Sequence, residues 1–242
     1  MANRPPVGVP VLSRRARMLI SVGVVGLVVL IIGSRLVDAY VDWLWFGEVG
    51  FRSVFSTVLV TRLAQFLLVG VVIGGLLGVN MVLAYRTRPV FVPVVGPEDP
   101  VARYRTVVVG RLGLFGVGVP LVVGLVAGLS ALGDWQTVQM FLHGVSFGVF
   151  DPQFHKDVGF YTFELPFYRM LLGWVFVAVV LAFLGALLTH YLFGGLRLSG
   201  RGGQFSGPAR VQLAVLAGFF VLLKALGYFL DRYGLLFSRR NP

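Results

Sequence analysis

Five apolar stretches, each about twenty residues or longer, run through this chain, and they constrain its folding more than any other feature. A helix rising ~1.5 Å per residue crosses the hydrocarbon core of a bilayer in about 20 residues. The stretches at about 18–37, 54–85, 112–133, 170–193 and 211–230 all reach that length. What is left over is too poor in charge to clothe a water-soluble core: 13% of the 242 residues are charged and 57% are apolar, where soluble domains carry roughly 25% charged residues. The mean hydropathy is +0.87. The fold class is therefore all-α, a polytopic transmembrane helical bundle of about five spans. The chain has no cysteine, which removes disulfides, thiolate metal sites and thiol chemistry.

The net charge of +11 is distributed as a topology signal. Twelve arginines fall at the N-terminus and in the connections after spans two and four, whereas the alternate loops and their margins hold four basic residues, Arg35, Arg52, Lys156 and Arg169. The positive-inside rule then makes the N-terminus cytoplasmic and the chain a multi-pass protein of the plasma membrane, with no role in binding nucleic acid. The first span follows Arg14, Arg15 and Arg17, is too long for a cleaved signal, and reads as an uncleaved anchor. The expected organisation is a basic cytoplasmic N-terminus (1–17), spans one to three with a first outer loop and a Pro-rich inner connection (18–133), a structured extracytoplasmic loop (134–169), spans four and five (170–238) and a tail (239–242). Arg232, Arg239 and Arg240 fall on the side this topology makes external, so either the fifth span is oriented differently or more chain normally follows and the tail is a truncation point.

Gly70, Gly74 and Gly78 in the second span, and Gly124 and Gly128 in the third, recur every four residues and put grooves on one helix face, where another helix can approach closely. Packing within the bundle is the simpler expectation; dimerisation of two chains is the sharper one.

Both outer loops are aromatic. The segment 38–48 carries Trp43, Trp45 and Phe46 beside three acids at a membrane boundary, the composition of an interfacial helix. The segment 134–167 is rich in Gly, Pro and aromatic residues, which suits a folded loop better than disorder. Its Phe154, Phe160 and Tyr161, with the three rings of the first loop, are candidates for docking a partner. Asp151, Asp157, Glu164, His143 and His155 supply carboxylates and imidazoles, but their spacing matches neither an EF-hand nor H-x-x-x-H. Loop hydrogen bonds and solvation account for them, and no metal or cofactor is expected.

Three blocks, WLWFGEVGF (43–51) with Val54-Phe55, FGVFDPQFHKDVGFYTFELPF (147–167) and LKALGYFLDRYGLLFS (223–238), resemble the actinobacterial membrane proteins of uncharacterised protein family 0182. The resemblance implies seven N-terminal transmembrane helices followed by a large extracytoplasmic region, of which this chain is the N-terminal part. It also implies an association with secreted PDZ-type proteases.

Charges inside the spans are the remaining candidates for function. Lys224 lies thirteen residues into the fifth span, and Asp231, seven residues on, shares its helical face and is the expected counter-charge. Snorkelling to the outer surface is the plainer reading of Lys224 and of Arg62, and His190 reads as interfacial. LSGRGGQFSG (198–207) reads as a flexible turn and RPVFVPVVGPEDPVARYR (88–105) as an extended inner connection. No nucleotide-binding, serine-hydrolase or zinc-protease motif is present, and no catalytic residue is assigned. Two readings follow. One is a membrane anchor and assembly module, in contact with lipid, that docks an extracytoplasmic domain or partner through its aromatic loops. The other is a transporter or channel for an ion, lipid or small molecule, using Arg62, Lys224 and Asp231.

Overall fold

The structure, a computed structural model, describes residues 13–89, 104, 107–197 and 204–235. Most of the Pro-rich connection and the whole tail 239–242 lie outside the described residues. The chain divides into two compact units, Met1–Val58 and Leu59–Pro242.

In the first unit, Ser13 starts helix α1 (Arg14–Glu48) by accepting a hydrogen bond from the Ala16 amide at 3.2 Å. The aromatic segment 38–48 is the end of α1 itself and not a separate loop element. The turn to α2 (Arg52–Arg86) takes three residues, with Gly50 at φ 77. Phe46 meets Phe55 at 5.7 Å and the Arg52 guanidinium lies 4.7 Å over Trp43.

The second unit contains most of α2 and the rest of the described bundle. A π-helical turn (Leu114–Gly118) leads into α3 (Val119–Ala131), a 3₁₀ turn (Leu132–Asp134) joins it to α4 (Trp135–Leu142), and a second π turn (Phe160–Glu164) opens α5 (Leu165–Leu192). A two-residue antiparallel ladder, β1 (Leu196–Arg197) with β2 (Gln204–Phe205), precedes α6 (Gly207–Gly234), so Gln204 and Phe205 of the expected flexible turn 198–207 are in a paired strand, while 198–203 lie outside the described residues. Each π turn ends two residues before a proline, Pro120 or Pro166. A proline in a helix lacks its N–H and crowds the carbonyl four residues back; here those carbonyls belong to Gly116 and Thr162, both inside the widened turns. The Leu165 amide bonds the Phe160 carbonyl instead, five residues back. The helix therefore continues through each proline, and the 34-residue loop expected at 134–167 shrinks to an irregular stretch at 143–159.

Four helical rods, at 52–86, 114–142, 160–192 and 207–234, are long and apolar enough to cross a membrane, and at most 28% of the most apolar window of any of them is buried in the bundle. The fifth apolar stretch of the sequence lies within α1. The most deeply buried side chains are mostly small: Ala84, Ala131, Ala178, Ala182, Ala186 and Ala209 are all at 2% exposure or less, while many of the Leu, Val and Phe side chains are exposed. That inversion of a soluble core is what a bilayer permits, because lipid solvates large apolar groups as well as a protein interior does and helices associate by close packing. α5 is central. It joins α2 and α3 around Val69, Ile73, Ala131 and Ala178, and α2 and α6 around Ala84, Ala182, Ala186, Leu213 and Leu216.

The glycine faces meet each other across α2 and α3. A Cβ on Gly74 would lie 2.7 Å from the Pro120 carbonyl oxygen, and one on Gly124 would lie 2.6 Å from that of Gly70. Gly128 is pressed against the Phe66 carbonyl, and Gly78 against the Pro120 ring.

Candidate functional site

The second unit has two distinguishable ends: a loop end carrying α4 and residues 143–159, and a ladder end carrying β1 and β2. At the loop end, one carboxylate organises the irregular stretch. Asp157 accepts from Ser146 Oγ at 2.7 Å and from the amides of Phe147, Gly148 and Gly159 at 3.1, 2.8 and 2.6 Å. These donors favour the ionised form, with the Ser146 hydroxyl contributing most, and bring its pKa down from 3.8 to about 2. Gly159 has to be glycine, since a Cβ there would lie 2.5 Å from the Val145 carbonyl oxygen. Asp151 holds the tip by accepting from the Phe154 amide at 2.6 Å and from the Tyr161 hydroxyl at 3.3 Å. Backbone bonds complete a short hairpin, with Phe150 bridged to Asp157. Two of the carboxylates weighed as metal ligands are thus taken up by the loop's own donors. Among the described residues, no group of three His, Asp or Glu side chains is placed to hold a metal ion.

This loop meets α6 around the ring of Tyr233, and Arg232 also lies 5.8 Å over the Phe154 ring. Tyr233 is buried, and Phe154, Phe160, Tyr161 and Phe229 surround it with ring centroids at 5.0, 5.2, 6.2 and 6.1 Å. Arg232 lies 3.8 Å over the Phe229 ring and 4.5 Å over Tyr233. Three of the six rings put forward for docking, Phe154, Phe160 and Tyr161, are therefore half-buried against Tyr233. The rings and apolar groups the loop does expose are others: Val145, Phe147, Val149 and Phe150 are 52–63% exposed. On α4, Phe141 stacks on Phe167 at 3.9 Å, and Gln139 Nε2 donates to Thr61 Oγ1 of α2. In the first unit Trp43 and Trp45 are exposed, and Trp45 packs edge-on against Phe46 at 5.0 Å.

The intramembrane charges separate. Arg62 lies 5.4 Å over the Trp135 ring. Asp231 does not neutralise Lys224 as expected; it faces Arg169 of α5 at 3.8 Å, and Arg169 also donates to the Leu230 carbonyl at 3.3 Å. Same-face spacing had left out the neighbouring helix, whose guanidinium reaches the carboxylate first. Lys224 lies over the rings of Phe176 and Tyr228 at 5.5 and 5.9 Å. Arg169, Lys224 and Asp231 line one groove of about 330 Å³ between α5 and α6.

Nearer the ladder end, a polar chain crosses the bundle. His190 of α5 is fully buried and meets Gln212 Oε1 of α6 at 3.0 Å. Gln212 Nε2 donates to the carbonyl and Oδ1 of Asn80 on α2 at 3.0 and 3.1 Å. His190 is thus enclosed by the bundle. The sequence signal for it is three polar side chains, Asn80, His190 and Gln212, each inside an apolar helix and so in need of partners.

Residues 18–242 match the model of a family described as Uncharacterised protein family (UPF0182). The chain belongs to this family. UPF0182 proteins of Rhodococcus opacus (strain B4) and Nocardia farcinica (strain IFM 10152) are 62% and 60% identical to it over 241 residues, which is all of this chain and 24% of each relative. A UPF0182 protein of Mycobacterium marinum is 58% identical over the same length and share. The UPF0182 chain here thus spans about a quarter of the length of these relatives. No solved structure matches it.

Proposed function

We propose that this chain is the membrane-embedded anchoring and assembly module of a larger envelope protein. In this reading the N-terminus is in the cytoplasm of an actinobacterial cell, the loop end faces outward, and that end docks an extracytoplasmic domain. The domain is the remainder of a longer chain of the kind the relatives have, or a separate protein such as a secreted PDZ-type protease. The observation that carries the reading is the preorganised loop 143–159. It is folded by Asp157, fastened through Tyr233, and holds Val145, Phe147, Val149 and Phe150 exposed above it. A loop fixed before binding loses little conformational freedom on docking, and aromatic groups on such a platform are the residue type that carries interface energy.

The test is the paired substitution Phe147→Ser with Phe150→Ser in the protein expressed in its own membrane. Photocrosslinks from position 149 to an extracytoplasmic domain are expected to disappear, with membrane insertion and thermal stability unchanged. Crosslinks that persist in the double variant, or that run only to lipid in the parent, contradict the docking role.

A transport reading has one observation in its favour, the shared groove of Lys224 and Asp231. That groove lies open along the side of α5 and α6, and Arg62 is not among its lining residues, so it has the form of a recess and not of a pathway.

A further inference from the structure

The groove between α5 and α6 carries more positive than negative charge. Of its three ionic residues, Asp231 is engaged by Arg169 at 3.8 Å, and among the described residues no carboxylate is paired with Lys224. Lys224 is seven residues before Asp231, ~10 Å further from the loop end along the helix. Its ammonium rests over Phe176 and over Tyr228, which is one turn nearer the loop end. The ammonium therefore lies beside one ring from each helix that walls the groove. Ring faces attract a cation but bring no full negative charge, and an ammonium held at the edge of hydrocarbon is costly without one.

Both walls of the groove leave space beside this cation. Gly173 and Gly227 put no side chain into it, and a Cβ on Gly173 would meet nothing within 4 Å. Leu172, Phe176, Leu223 and Leu230 make the rest of the lining apolar. A volume of about 330 Å³ is at the small end of ligand pockets and takes a headgroup with the start of one chain. A cation at the mouth, a second cation deeper in and an apolar floor together match an amphiphile with an anionic head.

We infer that this groove binds the phosphate of an anionic glycerophospholipid from the leaflet that meets the loop end. Lys224 is its charge partner, Arg169 stands at the mouth, and the upper part of an acyl chain lies along Leu172, Phe176 and Leu223.

The test uses the intact protein in a neutral detergent, mixed with equal amounts of phosphatidylglycerol and phosphatidylcholine of the same acyl chains, and native mass spectrometry counts the lipids retained. One ammonium near a membrane surface corresponds to about a fivefold preference for phosphatidylglycerol. Lys224→Met should erase that preference and Lys224→Arg should keep it. Equal retention of the two lipids by the parent protein, or a preference that survives Lys224→Met, overturns the assignment. Displacement of the lipid by inorganic phosphate also overturns it, by showing a site for a free anion. Gly173→Leu fills the groove with its charges intact and covers the case in which Lys224→Met fails to fold. It should lower retention of phosphatidylglycerol, and unchanged retention is likewise contrary.

Discussion

His190 on α5 carries its proton on Nε2 and gives it to Oε1 of Gln212 on α6, 3.0 Å away. The direction follows from the far end of the chain. The Asn80 backbone carbonyl can only accept, so the Gln212 group 3.0 Å from it is the amide nitrogen, and its oxygen is the atom that faces the imidazole. His190 Nδ1 is buried and has no hydrogen-bond partner among the described residues. Nitrogen-15 spectra of the labelled protein are expected to show one imidazole with a proton on Nε2 that does not exchange with solvent, distinct from the exposed His143 and His155. An Nε2 without a proton in that buried ring would refute the network as drawn. Gln212→Leu, which strands His190 and Asn80 together, should cost about 1–3 kcal/mol in reversible unfolding. The double variant with His190→Leu should cost less than the sum of the single changes, because the partners are removed in pairs.

The seam between α2 and α3 makes a second prediction. Any side chain on Gly124 has to displace the Gly70 carbonyl, which would lie 2.6 Å from the new Cβ, whereas Gly75 on the same helix as Gly70 has nothing within 4 Å of its own Cβ position. Overpacking of this kind costs about 1–3 kcal/mol. Gly124→Val is expected to lower the melting temperature in detergent clearly, and Gly75→Ala to leave it unchanged or raise it, since Ala favours helix over Gly. Equal effects at the two positions would mean that the helices are not in this contact.

Asp157 sets the pH response of the loop. Its pKa is depressed in the folded chain, from 3.8 to about 2. A depressed carboxylate contributes stability that is complete above the unfolded value and is lost as pH falls through the folded one. The amides of Phe147, Gly148 and Gly159 should therefore stay protected from hydrogen exchange at neutral pH and lose protection only across the interval between about 4 and about 2. Asp157→Asn should show the acid behaviour at neutral pH, because a neutral amide oxygen accepts these donors less strongly. Protection that is insensitive to the substitution would remove Asp157 from its organising place.

The spans were legible because crossing a bilayer asks only for length and apolarity, and both can be read residue by residue. Helix ends were not, since beyond the hydrocarbon the apolar signal stops while the helix continues, as it does to Leu142 and from Phe160. Pro166 looked like a loop residue because the π turn that accommodates it leaves no trace in periodicity. Pairings between helices were the least legible. The charge at Asp231 and its spacing from Lys224 were visible, but the claim of Arg169 on it depends on how α5 lies against α6. In the same way, the aromatic content of 147–167 announced a folded loop without showing which rings face inward. That was settled by Tyr233, a residue far along the chain that composition does not single out.

Tyr233 accordingly bears the last prediction. Its ring is the common neighbour of Phe154, Phe160, Tyr161 and Phe229, and removing a buried aromatic of this size costs about 3–5 kcal/mol. The Asp157 bonds lie wholly within 146–159 and do not involve α6. Tyr233→Ala should therefore release the loop from the bundle while the hydrogen bonds inside it persist. Limited proteolysis should cut sooner at the junctions near 143 and 160, while the amides of Phe147 and Gly148 keep their protection. Tyr233→Phe keeps every ring contact, gives up the hydroxyl that accepts from Arg232, and should cost about 1 kcal/mol. If the platform docks an extracytoplasmic domain, Tyr233→Ala should also weaken its capture without touching any exposed residue of the loop. A variant that loses the anchoring of the loop and still captures the domain at full strength would show that a fixed platform is not what the partner reads.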